Sequence, residues 1–215
     1  FCKEHLSPIK CPRSVDFDFK PFAAVEISET VDLPDLDRAI HDQYTSMQRC
    51  LHELFLLGYS KVGLVLEEAL DMRVNGKWSA ACLQYRQRHG THLVAPPLIL
   101  PGANQAVFDA WLERHRPDAV VSVDGFGLGF LRARKRKIPR EIGYASLDVD
   151  GDAVEGVELS GIDQNSRQVG AVAVDMIVAA IQRGQRGVPD HPVRTEIEGT
   201  WREGGTAVRQ RAKRR

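Results

Sequence analysis

Long apolar runs and net charge are both scarce in this chain of 215 residues. The most apolar stretch, residues 171–181, is interrupted by Asp175 and falls short of the roughly 18 apolar residues that a membrane-spanning helix needs. The 29 Lys and Arg residues balance 29 Asp and Glu residues, which argues against a chain whose main task is to coat nucleic acid or an anionic membrane. We therefore expect a soluble protein without a membrane partner.

Cysteine is also rare. The four cysteines, at positions 2, 11, 50 and 82, form neither a C-x-x-C pair nor a dense framework, a pattern typical of reduced thiols in the cytosol. Cys2 and Cys11 could pair, but their proximity in sequence does not establish it. No signal peptide is visible, although a removed leader or a start inside a longer product would look the same. We expect a cytoplasmic protein.

Motifs for hydrolysis and metal binding are missing from the sequence. It contains no G-x-S-x-G elbow, no H-E-x-x-H and no P-loop lysine, and its seven histidines show no close ligand spacing. The composition itself, 43% hydrophobic and 27% charged, is that of an ordinary globular protein. We expect neither a metal nor a cofactor, and no catalytic activity.

The middle of the chain alternates between strand and helix patterns. Apolar residues at helical spacing predict a helix over residues 42–57, and short β-branched runs such as 61–66 predict buried parallel strands. Further strands are predicted at 92–100, 119–123 and 142–147, with helices at 78–90, from 106 to before Pro117, and at 126–136. Strands alternating with helices indicate an α/β fold with doubly wound parallel sheets.

The two ends of the chain are less regular. Residues 1–41 contain four prolines and are predicted to be loop with one strand at 22–27. Near the other end, the patterns predict a helix within residues 161–184, with Asn165 or Ser166 as its N-cap, followed by a loop at 185–192 and a strand at 193–201. Five of the last seven residues are basic, so residues 209–215 are predicted to be a disordered tail.

Polar side chains follow the predicted strands, where open parallel sheets bind their ligands. Among them Arg73 offers a planar fork for two neighbouring oxygens, and Asp124 directly ends a buried strand. The ring of Phe126 could cover the apolar face of a sugar. Other polar residues at these positions are Glu67, Glu68, Asn104, Asp148, Asp150, Asp163 and Gln164. Each could instead cap a helix or be a solvated loop residue, but together they favour a site for hydroxyl-rich ligands.

A second pattern suggests a dinucleotide site. Gly125, Gly127 and Gly129 follow a predicted strand, and Asp148 stands about twenty residues later. The third glycine comes one residue too early, however, because the G-x-G-x-x-G fingerprint would need it where Phe130 stands. A Rossmann-like enzyme that binds a nucleotide or dinucleotide is therefore the alternative hypothesis.

The order of these segments resembles the LacI/GalR family of transcriptional regulators. The similarity extends in order from about Pro21 to Thr206 and rests on the segments LGYSKVGLV, MRVNGKW, PDAVVSVDGFGLGFL, KIPREIGYASLD, GIDQNSRQVGAVAVDMIVAAIQRG and TWREGGT. The resemblance implies a core of periplasmic-binding-protein type, in which two α/β lobes enclose a small effector, often a sugar. It also implies a homodimer whose lobe arrangement controls its affinity for operator DNA.

The resemblance assigns roles to individual residues. Arg73 and Asp124 match the family's effector-contacting arginine and aspartate, Asp148 stands at its G-x-D position, and Gln164 matches the polar residue that begins the return helix. Asp42 falls at the lobe crossover. The segments "ASLDVDG" and "TWREGGT" depart from the family pattern, so the effector's identity stays open.

The resemblance also implies a division of the chain. Residues 1–41 would be a remnant of the N-terminal lobe and crossover, residues 42–160 the C-terminal effector-binding lobe, and residues 161–206 a return helix and strand, followed by the tail at 207–215. The N-terminal lobe would be incomplete, and DNA would be bound only through a missing N-terminal helix-turn-helix. A secreted sugar-binding protein of a transporter shares this fold and is a further alternative.

Overall fold

The structure, a computed structural model, describes residues 16–149, 153–154 and 156–210. Cys2, Cys11, Asp150 and the basic tail from residue 211 lie outside the described residues. In chain order the elements are β1 (Val25–Glu26), β2 (Asp37–His41), α1 (Gln43–Leu56), β3 (Val62–Glu67), α2 (Glu68–Arg73), α3 (Lys77–His89), β4 (Leu98–Leu100), α4 (Gln105–His115), β5 (Ala119–Ser122), α5 (Phe126–Ala133), β6 (Gly143–Ser146), β7 (Ala153–Val154), β8 (Val157–Glu158), β9 (Ser160–Asp163), α6 (Ser166–Gln182), β10 (Arg194–Ile197) and β11 (Thr200–Arg202).

A six-stranded sheet with α1 to α5 forms the larger unit, called here the large lobe. Its strand order is β11-β9-β6-β5-β3-β4, and all neighbours are parallel except β9 and β11. Apolar residues are buried on both faces: one core cluster joins the sheet to α1 and α3, and a second joins it to α4 and α5. The predicted α/β class with parallel sheets is therefore confirmed.

A smaller sheet forms the second unit, the small lobe. Strands β1, β2 and β10 are parallel in the order β1-β2-β10, and α6 packs on them through Ala39, Val169 and Ala173. The chain passes between the lobes three times: from β2 into α1, from β9 into α6, and from β10 into β11. Every described helix is too short or too polar to cross a bilayer.

Several predicted boundaries near these crossings are wrong. The strand predicted at 22–27 is reduced to Val25–Glu26, and β2 lies in a segment predicted to be loop. Pairing allows β2 to bury a charged residue, because Arg38 Nε lies 3.0 Å from Glu26 Oε2 and Arg38 Nη2 donates to the Val31 carbonyl.

The helix predicted within residues 161–184 begins at Ser166 with Asn165 at its N-cap, as the sequence predicts, whereas residues 160–163 form the unpredicted strand β9 beside β6. The strand predicted at 193–201 is two strands in different sheets, separated by Glu198 and Gly199.

Two predicted elements of the large lobe are shorter than expected, and one helix was not predicted. The strand predicted at 92–100 pairs regularly only at Leu98–Leu100, since Pro96 and Pro97 have no amide hydrogen to donate. The helix predicted at 126–136 ends at Ala133, and the short helix α2 follows β3 directly.

Candidate functional site

A cleft of about 290 Å³ lies where the two lobes meet. Strand ends and helix starts of both lobes line it, which is the usual position of a ligand in open parallel sheets. The small-lobe side is formed by Ile27, Ser28, Glu29, Thr30, Ile40, His41, Ser166 and Val169. The large-lobe side is formed by Gln43, Leu70, Arg73, Val74, Trp78, Val123, Asp124 and Asp148, with Gln164 at the crossing between the lobes.

Four of the six predicted site residues line this cleft. Arg73 ends α2, and Asp124 stands between β5 and α5 with a left-handed backbone (φ 50°), a conformation that aspartate tolerates better than most residues. Both side chains are exposed to the solvent of the cleft. Asp148 follows β6, where its amide donates to Ser146 Oγ, and Gln164 Nε2 donates to the Leu147 carbonyl over 3.0 Å. The cleft therefore brings together a guanidinium, two carboxylates and an amide.

The other two predicted residues do not line the cleft. The Asp42 carboxylate caps α1 by accepting a hydrogen bond of 2.9 Å from the Thr45 amide. Phe126 turns towards the core between the sheet and α5, where its ring contacts Phe130 edge-on at 5.0 Å between centroids. In the structure the Asp42 side chain caps a helix, and the Phe126 ring packs against the core.

Replacing Asp42 with alanine tests this interpretation of the cap. We expect the Asp42→Ala protein to lose about 1 kcal/mol of unfolding free energy, because the Thr45 amide loses its acceptor. Ligand affinity should stay within twofold of that of the unchanged protein. Urea unfolding measures the free energy of unfolding, and calorimetric titration measures the ligand affinity. A tenfold loss of affinity would show that Asp42 contacts the ligand.

Sequence reasoning missed several residues of the cleft. Trp78 stands near the start of α3, is 5% exposed, and donates from Nε1 to Gln43 Oε1 over 2.9 Å. Glu29 and His41 come from the small lobe, where strand β2 was not predicted. In the sequence Glu29 stands between Ser28 and Thr30 and His41 between Ile40 and Asp42, so no apolar pattern marked either residue as buried.

His41 is the most perturbed ionisable group of the cleft. It ends β2, is 6% exposed, and its ring interacts with the backbones of Gln164 and Ile197. Burial lowers the pKa of His41 from 6.5 to about 4, although the negative charge of Asp42 opposes the shift. The imidazole is therefore neutral at pH 7, with one nitrogen that donates and one that accepts.

An ion-pair cluster joins the lobes beside the cleft. Lys77 Nζ, at the start of α3, lies 2.7 Å from Glu29 Oε1 and 3.0 Å from Glu196 Oε1 of the small lobe. Burial alone would lower the pKa of Lys77, but the hydrogen bonds to the two carboxylates outweigh it and raise the pKa. A second inter-lobe pair, Arg49 with Glu198 at 2.6 Å, is more exposed. The relative position of the lobes thus depends on charged contacts that ligand binding could rearrange.

Gly127, among the glycines after β5, allows helix α5 to pack closely against that strand. The Gly127 amide donates to Ser122 Oγ over 2.9 Å, and a Cβ at position 127 would lie 2.8 Å from the Ser122 Cβ. In a dinucleotide site, backbone amides at the start of this helix would face the pyrophosphate. Because the Gly127 amide is engaged by a strand side chain, the loop does not provide that arrangement. Within the described part of the chain, no three His, Cys, Asp or Glu residues are grouped to hold a metal.

Comparison with known proteins gives a uniform result for the fold. No family profile and no curated protein matches the sequence. Among solved structures, a LacI transcriptional regulator from a Rhodococcus species is similar with a TM-score of 0.65 at 18% identity, over 87% of this chain and 70% of that one. A periplasmic binding protein/LacI transcriptional regulator from Alkaliphilus metalliredigens, complexed with D-xylulofuranose, is similar with a TM-score of 0.64 at 13% identity, over 86% and 70% of the two chains.

A LacI family transcriptional regulator from Enterococcus faecium with bound ribose has a TM-score of 0.58 at 14% identity, over 87% of this chain and 71% of that one. At these identities the likeness concerns the fold: this chain has the fold of these periplasmic-binding-protein and LacI-type structures.

Proposed function

We propose that this chain is the effector-sensing core of a LacI/GalR-like transcriptional regulator that binds a small, sugar-like ligand between its lobes and has no catalytic activity. The observation that carries the proposal is the cleft itself, which both lobes line with hydrogen-bonding side chains and one tryptophan. Such a mixture of polar groups and an aromatic ring suits a polyhydroxylated ligand. The likeness to regulator structures with bound sugars supports the same class of ligand.

In this proposal each polar residue has a defined task. The Arg73 guanidinium donates two hydrogen bonds to neighbouring ligand oxygens, and the Asp124 carboxylate accepts from ligand hydroxyls. Asp148 and Gln164 contact the ligand where the lobes meet. Because the ligand touches both lobes, it binds one lobe orientation more tightly than the others and shifts the population towards it.

The consequences for DNA binding follow from this shift. In the proposed regulator the chain forms a homodimer in the cytoplasm, and a helix-turn-helix domain on the N-terminal side of the sensing core contacts operator DNA. Ligand binding changes operator affinity, and by reciprocity operator binding changes ligand affinity by the same factor.

A thermal-shift screen tests the proposal. The chain is heated with monosaccharides, disaccharides, sugar acids, nucleosides and nicotinamide cofactors, each in large excess. A ligand at 100 times its dissociation constant adds about 2.7 kcal/mol of stability, which gives a clear shift. We expect the shift with a sugar-like compound, whereas a shift with dinucleotides alone would favour the enzyme hypothesis.

The Asp124→Asn variant tests whether the thermal shift comes from a ligand bound in the cleft. Asparagine keeps the size of the side chain but removes its charge and replaces one acceptor with a donor, so we expect affinity to fall about tenfold or more. Asp175→Asn is the matched control, because Asp175 lies on an exposed part of α6 away from the cleft. Equal affinities for both variants, measured by calorimetric titration, would show that the ligand binds elsewhere.

A further inference from the structure

The edge of the large sheet opposite the cleft carries exposed basic side chains. Strands β3, β5 and β6 begin side by side there, since the Asp118 amide donates to the Lys61 carbonyl over 2.8 Å and the Gly143 amide donates to the Asp118 carbonyl over 2.9 Å. The length of the strands, about 15 Å, separates this edge from the cleft. Four exposed residues in the loops that lead into β5 and β6 are called here the basic edge: Arg116, Lys135, Lys137 and Arg140.

No carboxylate pairs with these four side chains in the part of the chain that the structure describes. The acidic groups nearby have other partners. Glu113 Oε1 lies 3.1 Å from Arg134 Nη2, and the Asp118 carboxylate accepts hydrogen bonds from two backbone amides just before β3. Glu141 lies 3.8 Å from Arg136, which is therefore not counted in the basic edge. Because the whole chain has no formal net charge, this positive charge is a local excess and favours an anionic partner.

Two residues of the basic edge have a backbone conformation that favours glycine. Arg116 directly follows α4 with φ 48°, and Lys135 stands two residues after α5 with φ 54°. Glycine is the usual residue where a helix ends in this left-handed conformation, because a Cβ atom is unfavourable there. Both helix ends therefore carry a long cationic side chain that the local backbone does not favour. Such conformations are concentrated where a side chain serves a function.

The surroundings of the basic edge favour the phosphate backbone of duplex DNA over other polyanions. Residues 113–118 and 134–142 contain no Phe, Tyr or Trp, so the edge offers no aromatic platform on which the bases of a single strand could stack. Neither segment exposes a large apolar side chain, whereas surfaces that bind a bilayer commonly insert apolar groups. Lysine and arginine side chains from two loops suit the closely spaced phosphates of a double helix.

We propose that the basic edge binds duplex DNA through its phosphates, without reading the base sequence. The contact lies on the large lobe, at a distance from the cleft, and it is separate from the helix-turn-helix of the proposed regulator. It therefore goes beyond the proposed function and does not rest on it. Each neutralised phosphate releases counterions, so the contact provides an affinity for DNA that weakens steeply with salt.

Fluorescence anisotropy of a labelled DNA duplex tests this contact. The whole chain is titrated into two duplexes of unrelated sequence at about 50 mM and about 200 mM salt. With four phosphate contacts, we expect the affinity to fall about a hundredfold or more between the two salt concentrations, and to be the same for both sequences within about twofold. Absence of binding at the lower salt concentration, or binding that salt does not weaken, would overturn the inference.

The Arg116→Gly/Lys135→Gly double variant assigns the binding to the basic edge. We expect its DNA affinity at the lower salt concentration to fall about tenfold or more, and the slope of log affinity against log salt to decrease by about two. Its urea unfolding midpoint should not fall, because glycine suits the left-handed conformation at both positions. Two residues that only end helices would give unchanged DNA binding, which would contradict the proposal.

The Arg167→Gln/Arg183→Gln double variant is the matched control. Both arginines are exposed residues of the small lobe, and their replacement removes the same charge as the first double variant. All variants keep the basic residues at positions 211–215, so a difference in affinity is due to the replaced side chains. We expect the control to bind DNA within about twofold of the unchanged protein. An equal loss in both double variants would show that binding follows net charge, and would overturn the inference.

Two further polyanions complete the test. The same titrations use a single strand of the duplex and vesicles of phosphatidylcholine and phosphatidylserine, and we expect the duplex to bind most tightly. Tighter binding of the single strand or of the vesicles, lost in Arg116→Gly/Lys135→Gly, would assign the basic edge to another partner and overturn the inference. Each of these outcomes leaves the sugar-sensing proposal unchanged, because that proposal depends on the cleft.

Discussion

Replacing Gly161 with alanine is expected to destabilise the protein by about 3 kcal/mol, because the new methyl group meets backbone atoms that cannot easily move. A Cβ at position 161 would lie 2.0 Å from the Ser146 carbonyl oxygen and 2.7 Å from the Ser146 nitrogen. Ser146 belongs to β6, which is held between β5 and β9 in the middle of the large sheet. The clash must therefore open the pairing of β6 with β9.

Gly170→Ala is the matched control for this substitution. Gly170 lies within α6, and a Cβ there would meet nothing within 4 Å. Alanine favours the helix over glycine by up to about 1 kcal/mol, so this variant should be slightly more stable than the unchanged protein. Urea unfolding measures both variants. A Gly161→Ala protein as stable as the unchanged one would show that β9 does not pair closely with β6.

Acidification is expected to destabilise the protein through His41. Burial lowers the pKa of His41 from 6.5 to about 4, so between these values the unfolded chain binds a proton that the folded chain does not. Stability contributed by this group is fully present above pH 6.5 and is lost as the pH falls towards 4. The loss amounts to about 3 kcal/mol, since each pKa unit corresponds to about 1.4 kcal/mol.

The His41→Gln variant isolates this contribution, because glutamine does not titrate. Its unfolding free energy should fall less than that of the unchanged protein between pH 7 and pH 4, and the difference should be about 3 kcal/mol. Urea unfolding at several pH values gives both curves. Parallel curves would mean that His41 is solvated in the folded protein and does not stand buried at the cleft.

The large lobe could be predicted because its elements carry strong local signals. Runs such as 61–66 and 119–123 are buried on both faces of the sheet, so almost every residue in them is apolar. The small lobe could not be predicted, since β2 contains Asp37, Arg38 and His41, and Arg38 is buried with the help of its pairing with Glu26. That pairing exists only in the folded chain and leaves no periodic pattern.

Short strands next to glycine residues could not be predicted for a related reason. Gly161 and Ile162 in β9 directly precede a long apolar helix, and a strand of 4 residues is too short to show a pattern of its own. Their position is decided by β6, which is separate from them in sequence. Similarly, Glu198 and Gly199 interrupt what looks like one alternating strand and carry the chain from one lobe to the other.

The same limits apply to the candidate site. Reasoning from strand ends and loops found Arg73, Asp124, Asp148 and Gln164, three of them because β3, β5 and β6 were predicted, and the family resemblance led to the same residues. Neither line of reasoning could find Glu29 and His41, because strand β2, the central strand of their lobe, was not predicted. For Phe126, only the contact with Phe130 in three dimensions shows that the ring packs inwards.

Hydrogen exchange with and without ligand tests the central claim, that one ligand is held by both lobes. With the compound that gives the largest thermal shift, we expect slower exchange in the small-lobe residues 27–30 and 40–41 and also in the large-lobe segments 70–78 and 123–124, which contain the cleft-lining residues of each lobe. Slower exchange in one lobe alone, or at a surface away from the cleft, would contradict the account.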